Sequence, residues 1–219
     1  MWWIPTIDSE FIKRMYDVLD LYEEDYDPKR PIVCLDEKSK QLLGNKRRSI
    51  PIKPGSSEKY DYEYIRNGTA NIFVAIELKA GKRMTQVTKR RTRIDFAEFM
   101  KILINEKYSD AEFIRLITDN LNIHNEKSFF EAFSEDEAKK ILDKIEFHYT
   151  PKHASWLNAA EIEINVMDIE CTDRRISDIE ILTHEVGAWE KKRNELEKRI
   201  EWKFSRKNAD EKMSKYYAQ

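Results

Sequence analysis

Three carboxylates stand where the chain could bring them together. Asp36 ends the apolar run PIVCLD, Asp119 ends the apolar run FIRLITD, and Glu161 lies at the start of a predicted helix. Carboxylate oxygens bind hard cations, so this set of ligands favours Mg²⁺ or Mn²⁺ over zinc. Two such ions suit in-line displacement at phosphorus, because one activates the attacking oxygen and the other stabilises the leaving oxygen.

The same acidic residues also allow simpler interpretations. An Asp at the end of a strand is commonly a turn or capping residue. Glu161 could complete a capping box with Asn158, three residues before it. Glu37 and Glu163 lie beside the proposed ligands but are expected to point to other faces of the strand and the helix. The histidines are interpreted as structural, although the last of them lies near the proposed site: His124, His148 and His153.

The composition limits the class of protein. With 219 residues, 41% of them hydrophobic, the chain can bury the core of one large domain. Acidic and basic residues nearly cancel to a net charge of −2, so any nucleic-acid binding must come from local basic clusters. Two cysteines form no disulfide framework and indicate a reducing compartment. No apolar run reaches the roughly 18 residues of a membrane span, and residues 1–8 do not resemble a signal peptide, so we expect a cytoplasmic protein.

The apolar pattern predicts a mixed sheet. Buried or alternating runs predict five strands: Ile32–Asp36, Ala70–Leu78, Arg83–Thr88, Phe113–Thr118 and Ile145–Tyr149. The second and third strands form a hairpin around a turn at 79–82, and residues 44–60, with two Pro and two Gly, predict a long loop. The later strands alternate with helices, which predicts parallel pairing in that part of an α/β sheet.

Helical spacing completes the predicted architecture. Asp8 is expected to cap an N-terminal helix that either packs on its own domain or binds a partner. A long amphipathic helix is predicted near the C-terminus. The other predicted helices are Asp95–Lys107, Ser128–Lys144 with a break at Ser134, and Ala159–Met167. We divide the chain into an N-terminal arm, a catalytic core and a C-terminal helical extension, at 1–30, 31–170 and 171–219.

Four segments resemble a known family. They are VCLDEKSKQL, YDYEYIRNGTANIF, LITDNLNIH and FHYTPKHASWLNAAEIEI. They are similar to the catalytic domain of DDE transposases, and most closely to bacterial insertion-sequence transposases related to mariner elements. The similarity extends from about residue 3 to Trp202, and the TPKHASWLNxxE motif is its most specific part.

The resemblance implies a fold, a reaction and a site. It implies an RNase H-like mixed five-stranded sheet flanked by helices, which cuts and joins DNA at transposon ends with two Mg²⁺ or Mn²⁺ ions. It implies that Asp36, Asp119 and Glu161 form the catalytic triad that binds these ions. Family members also carry an N-terminal helix-turn-helix region, for which residues 1–30 leave no room. We therefore expect an excised fragment, the second reading frame of a split element, or a decayed copy.

The expected partners follow from the same resemblance. They are transposon-end and target DNA, and a second copy of the chain or a full-length transposase, in a bacterial cytoplasm where the bound protein lies on the nucleoid. Phosphates would be contacted by local basic clusters. The candidate DNA-binding residues are Lys46, Arg47, Arg48, Lys89, Arg90, Arg91, Arg93, His153, Arg174 and Arg175.

Two rival interpretations remain open at the level of sequence. The chain could be a transposase remnant that has kept the fold and interferes with the intact enzyme through its C-terminal helix. It could also be another RNase H-like nuclease, such as a resolvase or a nuclease for RNA–DNA hybrids. The complete triad counts against the first rival, and the WLN-centred motif counts against the second.

Overall fold

One mixed sheet forms the centre of the structure. The computed structural model describes residues 7–59 and 61–216, so residues 1–6 of the predicted arm, Tyr60 and the last three residues lie outside the described part. The strands are β1 (Ile32–Asn45), β2 (Tyr64–Glu77), β3 (Lys82–Thr88), β4 (Ile114–Thr118) and β5 (Ile145–Tyr149). Their spatial order is β3-β2-β1-β4-β5.

The strand directions agree with the prediction from sequence. β1 pairs antiparallel with β2, which pairs antiparallel with β3 around the predicted hairpin turn. β1 pairs parallel with β4, and β4 pairs parallel with β5. The mixed five-stranded α/β sheet is therefore confirmed, with parallel pairing in the helix-connected part.

β1 is much longer than predicted, and this changes the position of Asp36. The apolar run ends at Asp36, but the strand continues to Asn45 because β2 starts six residues before its predicted start and pairs with the extension. The prediction that Asp36 ends a strand is therefore wrong, whereas Asp119 does follow the last residue of β4. The predicted loop at 44–60 begins only after Asn45.

Seven α-helices flank the sheet within the described residues. Their bounds are α1 (Ser9–Glu23), α2 (Arg93–Ile102), α3 (Lys127–Ala132), α4 (Glu135–Leu142), α5 (Ala160–Met167), α6 (Ile179–Glu195) and α7 (Arg206–Met213). Short π-helical turns extend α2 and α5. The predicted break at Ser134 separates α3 from α4. None of the helices that the structure describes is long and apolar enough to cross a bilayer.

The two faces of the sheet bury different helices. Val33 and Leu35 of β1 lie in a core with α2, α3 and α4. Cys34, between them, lies in a core on the opposite face with α1 and the start of α5. Farther along that second face, β1 and β2 pack against α5 and α6. Successive residues of β1 thus point to alternate helical layers, as the pleat of a strand requires.

Helix α1 packs on its own domain. Asp8 caps it as predicted, accepting a hydrogen bond from the Phe11 amide at 2.8 Å. Its apolar side shares one core with Cys34 and Ile76 of the sheet. Tyr22 reaches farthest: its hydroxyl donates to the Leu157 carbonyl at 2.9 Å and accepts from the Ala159 amide at 3.1 Å. Helix α1 therefore holds the segment that leads into α5.

Asn158 joins that segment to the central strand. Its amide nitrogen donates to the Leu35 carbonyl at 2.8 Å, and its amide oxygen accepts from the Ala160 amide at 3.1 Å. The predicted capping box with Glu161 does not form, because Ala159 occupies the cap position and has no side-chain cap. Asn158 is fully buried and instead ties the start of α5 to Leu35, the residue that precedes Asp36 in β1.

A buried ion-pair cluster attaches α6. Glu163 of α5 lies 2.8 Å from Arg83 Nε of β3 and 3.2 Å from Arg193 Nε of α6. Glu190 of α6 accepts from the Thr85 amide of β3 at 2.8 Å. Glu163 therefore serves to join three elements, in agreement with the expectation that it faces away from the proposed ligands.

We expect Asn158→Ala to destabilise the protein by about 1 to 3 kcal/mol, because it leaves the buried Leu35 carbonyl without its donor. Urea unfolding followed by tryptophan fluorescence measures this change in the free energy of unfolding. Asn165→Ala is the matched control, since Asn165 lies exposed on α5, the helix that Asn158 precedes. Equal stabilities of the two variants would contradict a structural role for the Asn158 bridge.

Candidate active site

The sheet register brings the two aspartates side by side. The parallel ladder between β1 and β4 ends at the pair Cys34 and Ile117. Two residues farther along the chain stand Asp36, within β1, and Asp119, directly after the last residue of β4. The two strands are neighbours in the sheet, but only Asp119 lies at the end of its strand.

Asp36 is a partly buried carboxyl close to other carboxylates. Its antiparallel partner is Val74, which belongs to the layer that contacts α5. Burial raises the pKa of Asp36 to about 7, and the negative charges of Glu37, Asp119 and Glu161 act in the same direction. The Glu37 amide donates to Asp36 Oδ1 at 2.7 Å and offsets part of this effect.

Asp119 has the opposite balance because of a neighbouring imidazole. Burial alone would raise the pKa of Asp119, but a hydrogen bond from His124 and its positive charge lower the pKa below its ordinary value. The His124 Nδ1–Asp119 Oδ1 distance is 2.7 Å, and the Leu121 amide donates to the same oxygen at 3.0 Å. Asp119 is therefore ionised at neutral pH, whereas Asp36, with a pKa of about 7, exchanges its proton near neutrality.

His124 also binds a second carboxylate. Its Nε2 lies 2.6 Å from Glu37 Oε1, and both side chains are fully buried. Burial opposes the charged imidazolium, but the hydrogen bonds to Asp119 and Glu37 raise the pKa of His124 to about 9. A carboxylate on each ring nitrogen requires both nitrogens to donate, which only the imidazolium can do.

Glu161 completes the acidic group from helix α5. It lies in the first turn, half-buried, where its charge contributes to the raised pKa of Asp36. Within residues 7–59 and 61–216, no three acidic, histidine or cysteine side chains are spaced to hold an ion directly. The donor chemistry fits Mg²⁺ or Mn²⁺, since oxygen ligands predominate. The three carboxylates are close enough to influence one another's charge, but they do not have the spacing of a bound ion's ligands.

The loops after β4 and β5 are joined to each other beside Asp119. Asn120 donates to the Thr150 carbonyl at 2.6 Å, and the Thr150 amide donates to the Thr118 carbonyl at 3.0 Å. Arg14 of α1 donates to the Asn120 side chain. A cavity of about 170 Å³ lies between these groups, with His124 and Tyr149 in its wall. A larger cavity of about 560 Å³ lies near Glu77 and Trp202. None of the three carboxylates is among the described residues that line either cavity.

Comparisons with known proteins agree with this geometry. A protein-family model described as a DDE superfamily endonuclease matches residues 31–183, which include all three carboxylates. This chain belongs to the DDE superfamily endonucleases. No curated protein sequence matches it.

Solved structures show which fold this DDE endonuclease has. The Mos1 mariner paired end complex with Mg matches with a TM-score of 0.59 at 16% identity, covering 99% of this chain and 66% of that one. The Mos1 strand transfer complex matches with a TM-score of 0.59 at 14% identity, covering 90% and 59%. The RNase H-like fold is thereby confirmed. The chain spans about three-fifths of the Mos1 chains that it matches.

The predicted DNA-binding residues of this DDE endonuclease differ in their availability. Lys46 and Arg47 pair with Glu63 and Asp61, at 3.1 and 3.3 Å. Arg174 pairs with Glu185 at 2.6 Å.

The remaining candidates also differ in their contacts. Arg93 pairs with Glu131 at 3.2 Å, and Arg175 donates to the carbonyls of residues 62 and 63. Arg91 lies 4.0 Å from Glu37, beside the acidic group, and His153 occupies an exposed turn with φ 64°. In the part of the chain that the structure describes, no ion pair engages Arg48, Lys89 or Arg90.

Two residues at the site were underestimated from sequence. His124 was interpreted as structural and Glu37 as a poor ligand, yet His124 contacts Asp119 through one ring nitrogen and Glu37 through the other. The positions of Glu37 and His124 relative to the two aspartates could have indicated that they lie near each other. Glu37 follows Asp36 in a strand and so faces the opposite side, and His124 follows Asp119 by five residues in the loop that returns over that side.

We expect Asp36→Asn to stabilise the metal-free protein at pH 7 to 8. Between about pH 4 and pH 7 the folded chain holds a proton on Asp36 that the unfolded chain has lost, so stability falls as pH rises. The variant removes this fall, by at most about 4 kcal/mol for a shift of about three units. Urea unfolding in EDTA at pH 4.5 and pH 8 measures it.

Glu98→Gln, an exposed substitution on α2, is the control for the loss of one negative charge. The wild type and Glu98→Gln should lose stability between the two pH values more steeply than Asp36→Asn. Parallel pH profiles for all three proteins would show that Asp36 is ionised normally in the folded state.

Proposed function

We propose that this chain is the catalytic part of a transposase, which cleaves DNA and joins the ends with Asp36, Asp119 and Glu161 as ligands of two Mg²⁺ or Mn²⁺ ions. One observation carries the proposal. A partly buried carboxyl in the central strand has its pKa raised to about 7, by burial and then by the charges of Glu37, Asp119 and Glu161, in a chain of the DDE endonuclease family. A cluster of mutually repelling carboxylates costs stability and is maintained where a cation relieves the repulsion.

The residues of the chain would divide the work. The triad would hold the ions, which when bound polarise a phosphate and activate an attacking oxygen. Asp119, ionised at neutral pH, offers a charged ligand before any cation arrives. Arg91 and the uncompensated cations Lys89 and Arg90 lie on the segment before α2 and would contact the DNA backbone.

The proposed partners are DNA and further protein chains. The matching Mos1 structures are paired end complexes, one of them with the left transposon end, and a strand transfer complex. By analogy we propose that this chain acts on transposon-end and target DNA, in an assembly with a second copy or with a full-length transposase. Recognition of the end sequence is assigned to a helix-turn-helix region that residues 7–59 and 61–216 do not contain.

We expect activity to require Mg²⁺ or Mn²⁺ and to disappear in Asp36→Asn, Asp119→Asn and Glu161→Gln, while the proteins stay folded. The measurement is cleavage of a labelled duplex that carries the transposon end, with and without metal, together with the Mn²⁺-induced rise in Tm. Each triad variant should lose both the cleavage and most of the rise in Tm, because each removes a ligand of the ion.

Glu98→Gln serves again as the control and should retain both. A triad variant with the wild-type Mn²⁺ shift in Tm would remove that residue from the metal site. A parallel assay with an RNA–DNA hybrid separates the proposal from the alternative nuclease. If the protein cleaves the hybrid but leaves the DNA duplex uncut, the transposase assignment is contradicted. If the wild type binds metal but cleaves no substrate, the result favours the non-catalytic remnant.

We expect the isolated chain to bind DNA weakly and without sequence preference, with a Kd of roughly 10⁻⁴ to 10⁻⁶ M at physiological salt. The net charge of −2 provides no long-range attraction, so the remaining contacts are local and go to phosphates. Replacing Lys89 and Arg90 together by Ala should weaken binding equally on any sequence. It should also lower the slope of log K against log salt by about 1 to 2.

Arg174→Ala is the matched control for this experiment. Arg174 already pairs with Glu185, so its loss should change DNA affinity much less. Fluorescence anisotropy on a transposon-end duplex and on a scrambled duplex measures both affinities. Tight binding that prefers the end sequence would reveal a recognition element within this chain.

A further inference from the structure

The backbone connection between the two aspartate-bearing strands stops before the aspartates. The last ladder pair of β1 with β4 is Cys34 with Ile117, two residues before Asp36 and Asp119. β1 continues as a strand along β2, whereas the chain after Thr118 turns away into a loop. No main-chain ladder therefore fixes the distance between these carboxylates, and side chains must do so.

A side-chain bridge stands at this point. His124 Nδ1 lies 2.7 Å from Asp119 Oδ1 and 2.8 Å from Thr118 Oγ1, and its Nε2 lies 2.6 Å from Glu37 Oε1. We call Glu37, His124 and Asp119 the His124 bridge. It links the strand of Asp36 to the loop of Asp119 across the position where the ladder ends.

The bridge is rigid and lies behind the acidic group. Glu37 and His124 are almost completely buried, and the His124 ring packs against Phe96 of α2 at a centroid distance of 5.0 Å. Tyr149 donates to the His124 carbonyl at 2.8 Å, which holds the backbone of the loop. Glu37 pairs in register with Phe73, on the face opposite to Asp36 and α5. The bridge therefore approaches Asp119 from the side that the cation would not occupy.

The bridge uses only one oxygen of Asp119. Oδ1 accepts from His124 and from the Leu121 amide, which fixes the rotation of the carboxylate. Oδ2 accepts no hydrogen bond from the residues that the structure describes. One oxygen thus serves for orientation and the other is left for a ligand.

We propose that His124 is a positioning residue, which through Glu37 and Asp119 Oδ1 holds Asp119 in the orientation that binds the divalent cation. This inference rests on the proposed function, because it assigns Asp119 as a metal ligand. Partners that orient a metal-bound carboxylate typically change metal affinity 10- to 100-fold when they are removed. Glu37 and His124 themselves bind no ion in this proposal.

The test measures Mn²⁺ binding directly, by isothermal titration, beside cleavage as a function of Mn²⁺ concentration. His124→Gln should weaken Mn²⁺ binding by about 10- to 100-fold, and cleavage should recover towards the wild-type rate at high Mn²⁺. A purely structural role would lower the Tm in EDTA and leave the Mn²⁺ requirement of the folded fraction unchanged. That second outcome would overturn the proposal.

His148→Gln is the matched control. His148 binds Asp17 through Nδ1 at 2.8 Å, so it loses a similar contact between an imidazole and a carboxylate, on β5 and away from the triad. Its Mn²⁺ affinity should match the wild type within about twofold. Loss of Mn²⁺ binding in His148→Gln equal to that in His124→Gln would contradict a specific role for the bridge.

A second variant guards against misfolding, because His124→Gln leaves Glu37 buried without its partner. Glu37→Gln/His124→Gln removes both charges together and keeps polar groups of similar size. It should fold and still show weakened Mn²⁺ binding. Wild-type Mn²⁺ affinity in this folded double variant would overturn the proposal.

Asp119→Asn distinguishes failure of the bridge from failure of the proposed function. If Asp119→Asn abolishes Mn²⁺ binding but both bridge variants bind normally, the metal assignment stands and the bridge is wrong. If Asp119→Asn binds Mn²⁺ like the wild type, the proposed site itself is wrong and the bridge with it.

Glu37→Gln alone should keep most of the affinity, since Gln still offers an oxygen to His124. A loss as large as that of Asp119→Asn would instead make Glu37 a ligand and overturn its bridging role.

Discussion

Repulsion between carboxylates is the constraint that shapes this protein. Asp36, Glu37, Asp119 and Glu161 concentrate negative charge around the middle of a buried strand, where water screens it poorly. The structure answers in two ways. The pKa of Asp36 is raised to about 7, and His124 supplies a positive charge between Glu37 and Asp119. Apolar packing on both faces of β1 provides the stability that keeps this group together.

The succession of strands along the chain could be predicted from sequence, because it depends on short-range patterns. Continuous apolar runs mark strands that are buried on both faces, as in β4, and the hairpin turn at 79–82 is a local signal. The three carboxylates of the proposed triad were singled out by their positions and by the family resemblance. The helix break at Ser134 and the cap at Asp8 were also local features.

The length of β1 and the contacts of Asn158 could not be predicted in this way. The second half of β1 is a polar strand whose ladder partner, the start of β2, is equally polar, so hydrophobicity gave no indication of either. Asn158 precedes Glu161 by the spacing of a capping box, but tertiary contacts with Leu35 and Tyr22 moved the start of the helix by one residue. The contacts of His124 with Asp119 and Glu37 could not be predicted either, because they depend on which face of the sheet the loop after β4 covers in the folded chain.

The succession Asp36-Glu37 in the central strand has a consequence for the tolerance of this protein to insertions and deletions. A shift of β1 by one residue would exchange the faces of the two side chains. The residue in the place of Asp36 would then face the His124 bridge, and the residue in the place of Glu37 would face the proposed metal site. Changes in length before Asp36 would therefore damage both at once. The ladder already contains an irregularity between Gln41 and Leu43, beyond the site, where an extra residue is accommodated. The outer part of the β1–β2 pair is thus expected to tolerate a change in length, whereas the five residues from Ile32 to Asp36 set the register on which the site depends.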